Sequence, residues 1–103
     1  MKKRVIVQYK VKPGRAAENE ALIKKVFEEL EQSKPGGLRY ASFKQDDGVS
    51  FVHIASIETE DGDSPLDKSA AFKAFQAGIR DRCEEPPVAI QLNGIGSYKF
   101  FDS

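Results

Sequence analysis

The sequence predicts an α+β fold of ferredoxin-like βαββαβ order, a four-stranded antiparallel sheet with two helices on one face. Three observations carry this expectation. Two stretches place apolar residues at helical spacing, three and four apart. Four shorter stretches are rich in β-branched and aromatic residues and are bounded by Gly, Pro or Asp. Between the second and third of these sits Asp47-Gly48, a strong two-residue hairpin signal.

Arg4 to Lys12 is the first strand. Val5, Val7, Tyr9 and Val11 alternate on one side and Ile6, Gln8, Lys10 and Lys12 on the other, and Pro13-Gly14 stops it. Residues 15–33 form the first helix, with Leu22, Ile23, Val26, Phe27 and Leu30 on its apolar stripe. Its outer face pairs Glu20 with Lys24 and Lys25 with Glu29, four apart. Lys34-Pro35-Gly36-Gly37 ends the helix and turns the chain.

Leu38 to Gln45 is the second strand. With Asp47-Gly48 as the central pair of the hairpin, Asp46 faces Val49, Phe43 faces Val52, Ser42 faces His53 and Tyr40 faces Ala55. Register fixes the faces. Leu38, Tyr40, Ser42, Phe51, His53, Ala55 and Ile57 share one side; Ala41, Phe43, Val52 and Ile54 share the other. The third strand, Gly48 to Ile57, is largely apolar on both sides, as expected of a strand covered twice.

Glu58 to Asp63 is an acidic loop. Asp61-Gly62-Asp63 lacks the ligand spacing and terminal Glu of a calcium loop and reads as a solvated turn. Ser64-Pro65 starts a short turn over 64–67, and Ser69 caps the second helix, expected over 69–84. Phe72, Phe75, Ile79 and Cys83 make its buried stripe, and Glu84-Glu85-Pro86-Pro87 closes it. The fourth strand alternates Val88, Ile90 and Leu92 with Ala89, Gln91 and Asn93. Gly94 and Gly96 mark a bulge or bend before the aromatic end of Tyr98, Phe100 and Phe101.

Helices on one face leave the other face of the sheet open. Four strands about 4.8 Å apart and about 25–30 Å long make a face on the order of 500 Å². Soluble monomers rarely expose an apolar patch beyond a few hundred Å². A second copy related by a two-fold axis is the simplest cover, so a homodimer through the sheet is expected.

Composition narrows the function. Sixteen basic and sixteen acidic residues cancel, so no global field draws in nucleic acid or anionic lipid. Asp47 to Ile54 partly overlays an RNA-recognition octamer, but Asp47 and Val49 stand where a basic and a stacking aromatic residue are needed. No transmembrane run is present, and the apolar Val5-Ile6-Val7 after a basic start is too short for a signal peptide. A lone Cys83 cannot form an internal disulfide, which fits a reducing compartment. The expectation is a cytoplasmic protein with no nucleic-acid or membrane partner.

His53, the only histidine, is the first candidate for chemistry, since an imidazole can act as a base near neutrality. Ser42 is opposite it, Tyr40 and Phe51 are near it, and Gln8, in the strand beside it, is expected to share the face. A base beside hydroxyls and an amide could bind and deprotonate a phenol or enol. The competing reading is a hydrogen-bonded interior histidine. Cys83, at a helix C-terminus beside two glutamates, reads as a small core residue with a raised thiol pKa. One His and one Cys are too few for a zinc site, and Gly94-Ile95-Gly96 lacks the third glycine of a dinucleotide loop.

The strand–Pro13-Gly14-Arg15–helix entry, the Asp-Gly hairpin, the Phe51-x-His53-x-Ala55 strand and the Ala70-Ala71-Phe72-Lys73-Ala74-Phe75 helix together resemble the antibiotic biosynthesis monooxygenase-like proteins over about residues 4–100. These belong to the dimeric α+β barrel superfamily. The resemblance implies a homodimer whose sheets enclose a barrel, with a small-molecule cavity between helices and sheet. It implies a cofactor-independent oxygenase acting on a small aromatic or enolic compound, with His53 catalytic and Gln8, Tyr40, Ser42 and Phe51 binding substrate, and no cofactor or metal. The alternative is a homodimer that binds a small molecule or serves a structural role without catalysis. Haem-degrading members use an Asn, Trp and His set; this chain has no Trp, so that activity does not transfer.

Overall fold

A computed structural model describes residues 2–100; Met1 and the end of the chain from Phe101 lie outside the described residues. Strand β1 (Lys3–Val11) leads through a 3-10 turn at Pro13–Arg15 into helix α1 (Ala16–Ser33). Strands β2 (Leu38–Lys44) and β3 (Ser50–Ile57) form a hairpin. A 3-10 turn at Pro65–Lys68 precedes helix α2 (Ala70–Ala77), a single turn α3 (Ile79–Arg82) and strand β4 (Cys83–Leu92). The strand order is β2-β3-β1-β4, all antiparallel, which is the ferredoxin-like arrangement.

The hairpin register is the expected one. Tyr40 pairs with Ala55, Ser42 with His53 and Phe43 with Val52. The turn itself sits one residue earlier than expected. Gly48 N–H donates to the Gln45 carbonyl at 3.0 Å, so Asp46 and Asp47 are the central residues. Gly48 follows at φ +78°, where a side chain would be strained. The Asp47 carboxylate accepts from the N–H groups of Val49 and Ser50 and holds this geometry.

β1 pairs with β3 so that Val5, Val7 and Tyr9 face Ala55, His53 and Phe51. That side of the sheet carries the helices. Tyr9, Val11 and Phe51 pack with Ile23 and Val26 of α1, Leu66, Phe75 of α2 and Cys83 in one buried cluster. The other side carries Ile6, Phe43, Val52, Ile54, Val88, Ile90 and Leu92, and Phe43, Val88 and Ile90 are about half exposed. Among the described residues no helix is long and apolar enough to cross a membrane.

The second helix departs from expectation. It stops at Gly78, whose backbone (φ −115°, ψ 14°) leaves the helical region. Gly78 frees the Phe75 carbonyl, and the Arg82 Nη2 donates to that oxygen at 2.7 Å. The chain is already extended at Cys83, so Cys83, Glu84 and Glu85 belong to β4 and not to the helix. Pro86 and Pro87 lie inside β4. Gln8 pairs with Val88 but Lys10 with Glu85, so the two prolines oppose Tyr9 alone, a β-bulge on an edge strand. Gly94 and Gly96 lie beyond the end of β4, on either side of a bend at Ile95, as expected of them; the bulge at the two prolines is an additional irregularity.

Both caps expected before the second helix are used. Ser64 Oγ accepts from Leu66 N–H, and Ser69 Oγ accepts from Phe72 N–H at 3.0 Å. Glu20 pairs with Lys24 at 3.3 Å as expected. Glu29 instead reaches the N-terminus of α2, where its carboxylate accepts from Ala71 N–H at 3.2 Å. The Ser69 hydroxyl and these backbone amides hold the Glu29 carboxyl below the usual range.

A buried hydrogen-bonded chain under an apolar cavity

His53 is buried in the middle of β3 on the helix-facing side. Both ring nitrogens are engaged. Nε2 lies 2.7 Å from the Tyr9 hydroxyl. Nδ1 lies 2.6 Å from Ser42 Oγ and 3.0 Å from the Tyr40 hydroxyl. Tyr9 and Tyr40 also stack on the imidazole from either side, with centroids 5.3 and 5.9 Å away. Ser42 and Tyr40 are there because the hairpin register puts them on the strand next to His53. Tyr9 is there because β1 pairs on its other side.

The chain of bonds continues past Tyr9. Asn19 Nδ2 donates to the Tyr9 hydroxyl at 2.9 Å, and Arg82 Nε donates to Asn19 Oδ1 at 3.1 Å. Asn19 and Arg82 are almost fully buried, and the Arg82 guanidinium lies 5.3 Å from the centre of the Phe75 ring. No buried side-chain nitrogen or oxygen among the described residues is left without a partner.

Burial sets the protonation states. It lowers the His53 pKa to about 4, so the ring is neutral near pH 7. It pushes the Tyr40 phenol up to about 12 and raises the Tyr9 phenol further, against the bond from Asn19. Burial also raises the Cys83 thiol. The direction is the expected one, but the cause is the core around it and not the neighbouring glutamates.

Above His53 a cavity of about 270 Å³ opens between the sheet and the α2 region. Val5, Val7, Ala55 and Ile57 form its sheet side, and Leu66, Phe72, Phe75 and Ile79 its helical side. Tyr9, Tyr40 and His53 are the polar groups on the sheet side, while Ser64, Asp67 and Gln76 come from the other. An apolar pocket with a few convergent polar groups is the usual form of a small-molecule site. A larger hollow of about 540 Å³ at the end of α1 contains none of Tyr9, Tyr40 or His53. Its lining mixes residues of α1 such as Glu29 and Leu30 with loop residues such as Thr59, Asp61 and Asp63. The Asp61 carboxylate accepts from Asp63 N–H, as in an ordinary polar turn. Among the described residues no three His, Cys, Asp or Glu side chains come together as a metal site would require.

Of the residues picked from sequence, the structure brings His53, Tyr40 and Ser42 together, with Tyr40 lining the cavity and Ser42 behind the imidazole. Phe51 is on the expected face but is core, stacked on Tyr9 with centroids 5.6 Å apart. Gln8 is a correction. It pairs with Val52, not His53, and lies on the opposite, open face beside Lys10, Ser50 and Val88. Tyr9, Asn19 and Arg82 were missed. The signals were present: Tyr9 shares the parity of Val5 and Val7, Asn19 falls on the stripe of Ile23 and Val26, and Arg82 on that of Phe75 and Ile79.

No family model and no curated protein matches this sequence. Solved structures do. A protein provisionally described as an antibiotic biosynthesis monooxygenase from Nitrosomonas europaea is 18% identical with a TM-score of 0.74, over 91% of this chain and 90% of that one. Rv0793 from Mycobacterium tuberculosis is 17% identical with a TM-score of 0.73, over 94% and 98%. A structure described as an antibiotic biosynthesis monooxygenase is 20% identical with a TM-score of 0.72, over 93% and 100%. At such identities the likeness is one of fold: this chain has the ferredoxin-like α+β fold found in proteins described as antibiotic biosynthesis monooxygenases.

Proposed function

We propose that this protein takes a small aromatic or enolic compound into the cavity over Tyr9, His53 and Tyr40 and oxygenates it with O₂, without a cofactor. The observation that carries the reading is a pair of stacked phenol and imidazole rings, joined by a 2.7 Å hydrogen bond, in the wall of an otherwise apolar cavity. Descriptions of structures with the same fold as antibiotic biosynthesis monooxygenases point to the same reaction class.

The chemistry needs a proton acceptor. A bound phenol donates its proton to the Tyr9 oxygen while Tyr9 passes its own to His53 Nε2, so Tyr9 stays neutral. The phenolate then gives up electrons to O₂. One oxygen enters the ring as a carbonyl. The other leaves as water with the two hydrogens that the phenol loses, so the product is a quinone. The working unit is a homodimer joined through the open sheet face, supported by the exposed Phe43, Val88 and Ile90.

The test is O₂ uptake and ligand binding with a panel of phenols, quinols and enols. Tyr9→Phe and His53→Gln should lose about 10²–10⁴-fold in turnover while still binding the compound. Unchanged turnover in His53→Gln removes the base role, because a glutamine cannot accept the proton. One observation favours a second reading, a binding protein without catalysis: burial makes His53 hard to protonate. Tight binding with no O₂ uptake in the parent protein would select that reading.

A further inference from the structure

We infer that Asn19 and Arg82 are positioning residues that fix which nitrogen of His53 carries the proton. The inference rests on the proposed role of His53, but its test does not. A guanidinium can only donate hydrogen bonds. Arg82 Nε therefore requires the Asn19 oxygen to face it at 3.1 Å, which turns the Asn19 amide nitrogen toward Tyr9. That nitrogen can also only donate. The Tyr9 oxygen is thus an acceptor on its Asn19 side, and its one proton is left for His53 Nε2 at 2.7 Å. Since Asn19 offers that proton no acceptor, it is satisfied by Nε2 as the unprotonated nitrogen, and the ring proton then sits on Nδ1, pointing at Ser42 Oγ and the Tyr40 hydroxyl.

The Arg82–Asn19 and Asn19–Tyr9 bonds each have one possible direction, imposed from the buried cationic end, and they bias the Tyr9–His53 bond that follows. The consequence is chemical. The basic lone pair of His53 is turned toward Tyr9, the side from which a substrate proton would arrive, and is kept from Ser42. Neither Asn19 nor Arg82 lines the cavity, so they act through Tyr9 and His53.

Nitrogen-15 NMR of the ligand-free protein at neutral pH reads the tautomer directly. The parent should show His53 protonated on Nδ1. Asn19→Asp replaces the donor with a second acceptor, so Tyr9 should turn its proton toward the new carboxylate and the His53 proton should move to Nε2. Asn19→Leu removes the bias, and both nitrogens should take intermediate values. A parent protonated on Nε2 overturns the inference, as does an Asn19 variant that keeps the parent pattern. Should Asn19→Asp fail to fold, the parent and Asn19→Leu still decide. Because no substrate is present, failure here is separate from failure to find turnover.

Discussion

The Tyr9 hydroxyl and His53 Nε2 stand 2.7 Å apart on adjacent strands, although 44 residues separate them in the chain. The bond spans the β1–β3 pairing and occupies a lone pair that would otherwise be buried. Breaking it has effects on stability that are independent of any reaction.

Tyr9→Phe keeps the ring and its stacking on Phe51 but removes the hydroxyl. It leaves Asn19 Nδ2 and His53 Nε2 unpaired in the interior, which should cost about 1–3 kcal/mol. Denaturant unfolding measures this. In a double-mutant cycle with Asn19→Leu the two losses should not add, because the residues share one bond. Additive losses would show that the bond contributes nothing.

Acid should weaken the fold through His53. Its pKa is about 4 when folded, against an ordinary value near 6.5, so the unfolded chain takes up the proton first. This contribution is complete above about pH 6.5 and is lost as pH falls toward 4, by roughly 3 kcal/mol in all. His53→Gln should lower stability at pH 7 but flatten its pH dependence in that window. An equally steep profile in the variant would place the titrating group elsewhere.

Glu29 ties α1 to the start of α2. Glu29→Ala should speed amide hydrogen exchange at Ala71 and lower the melting temperature. Glu31→Ala, on the exposed side of the same helix, should do neither. The Glu29 pKa is depressed, so this contribution is held above its unfolded pKa and lost as pH falls through the folded one.

The open face gives the clearest assembly test. Sedimentation of the parent should show a dimer at micromolar concentration. Ile90→Glu puts a charge on that face beside Ile6 and should yield a folded monomer with an unchanged circular dichroism spectrum. A parent that sediments as a stable monomer would remove the assembly from the proposal.

His53, Ser42 and Tyr40 could be grouped from sequence because a short turn counts residues across the hairpin, and a count of two fixes parity. Gln8 could not be placed the same way. Some forty residues, including α1, separate β1 from β3, so no local rule sets their register and a slip of one exchanges Gln8 for Tyr9. Asn19 and Arg82 were hidden by a different habit. Polar residues on an apolar stripe look like breaks in the pattern until a partner is found, and their partners are each other, brought together from α1 and α3. The helix end at Gly78 was hidden for a related reason: the Phe75 carbonyl that it frees is satisfied by a different bond from Arg82, which no local pattern shows.

The prolines of β4 limit how copies of this protein can meet. β4 is a rim of the sheet, and rims with free backbone donors recruit further strands. Pro86 and Pro87 carry no N–H, so two successive positions of this rim offer no backbone donor. They sit at the bulge opposite Tyr9, where the regular ladder is already interrupted. An incoming strand would meet an irregular rim short of donors. Growth by end-to-end addition of sheets into a fibril is therefore disfavoured along this rim, even when the protein is crowded. Contact through the broad apolar face remains open, and a two-fold pairing there closes on itself after two copies.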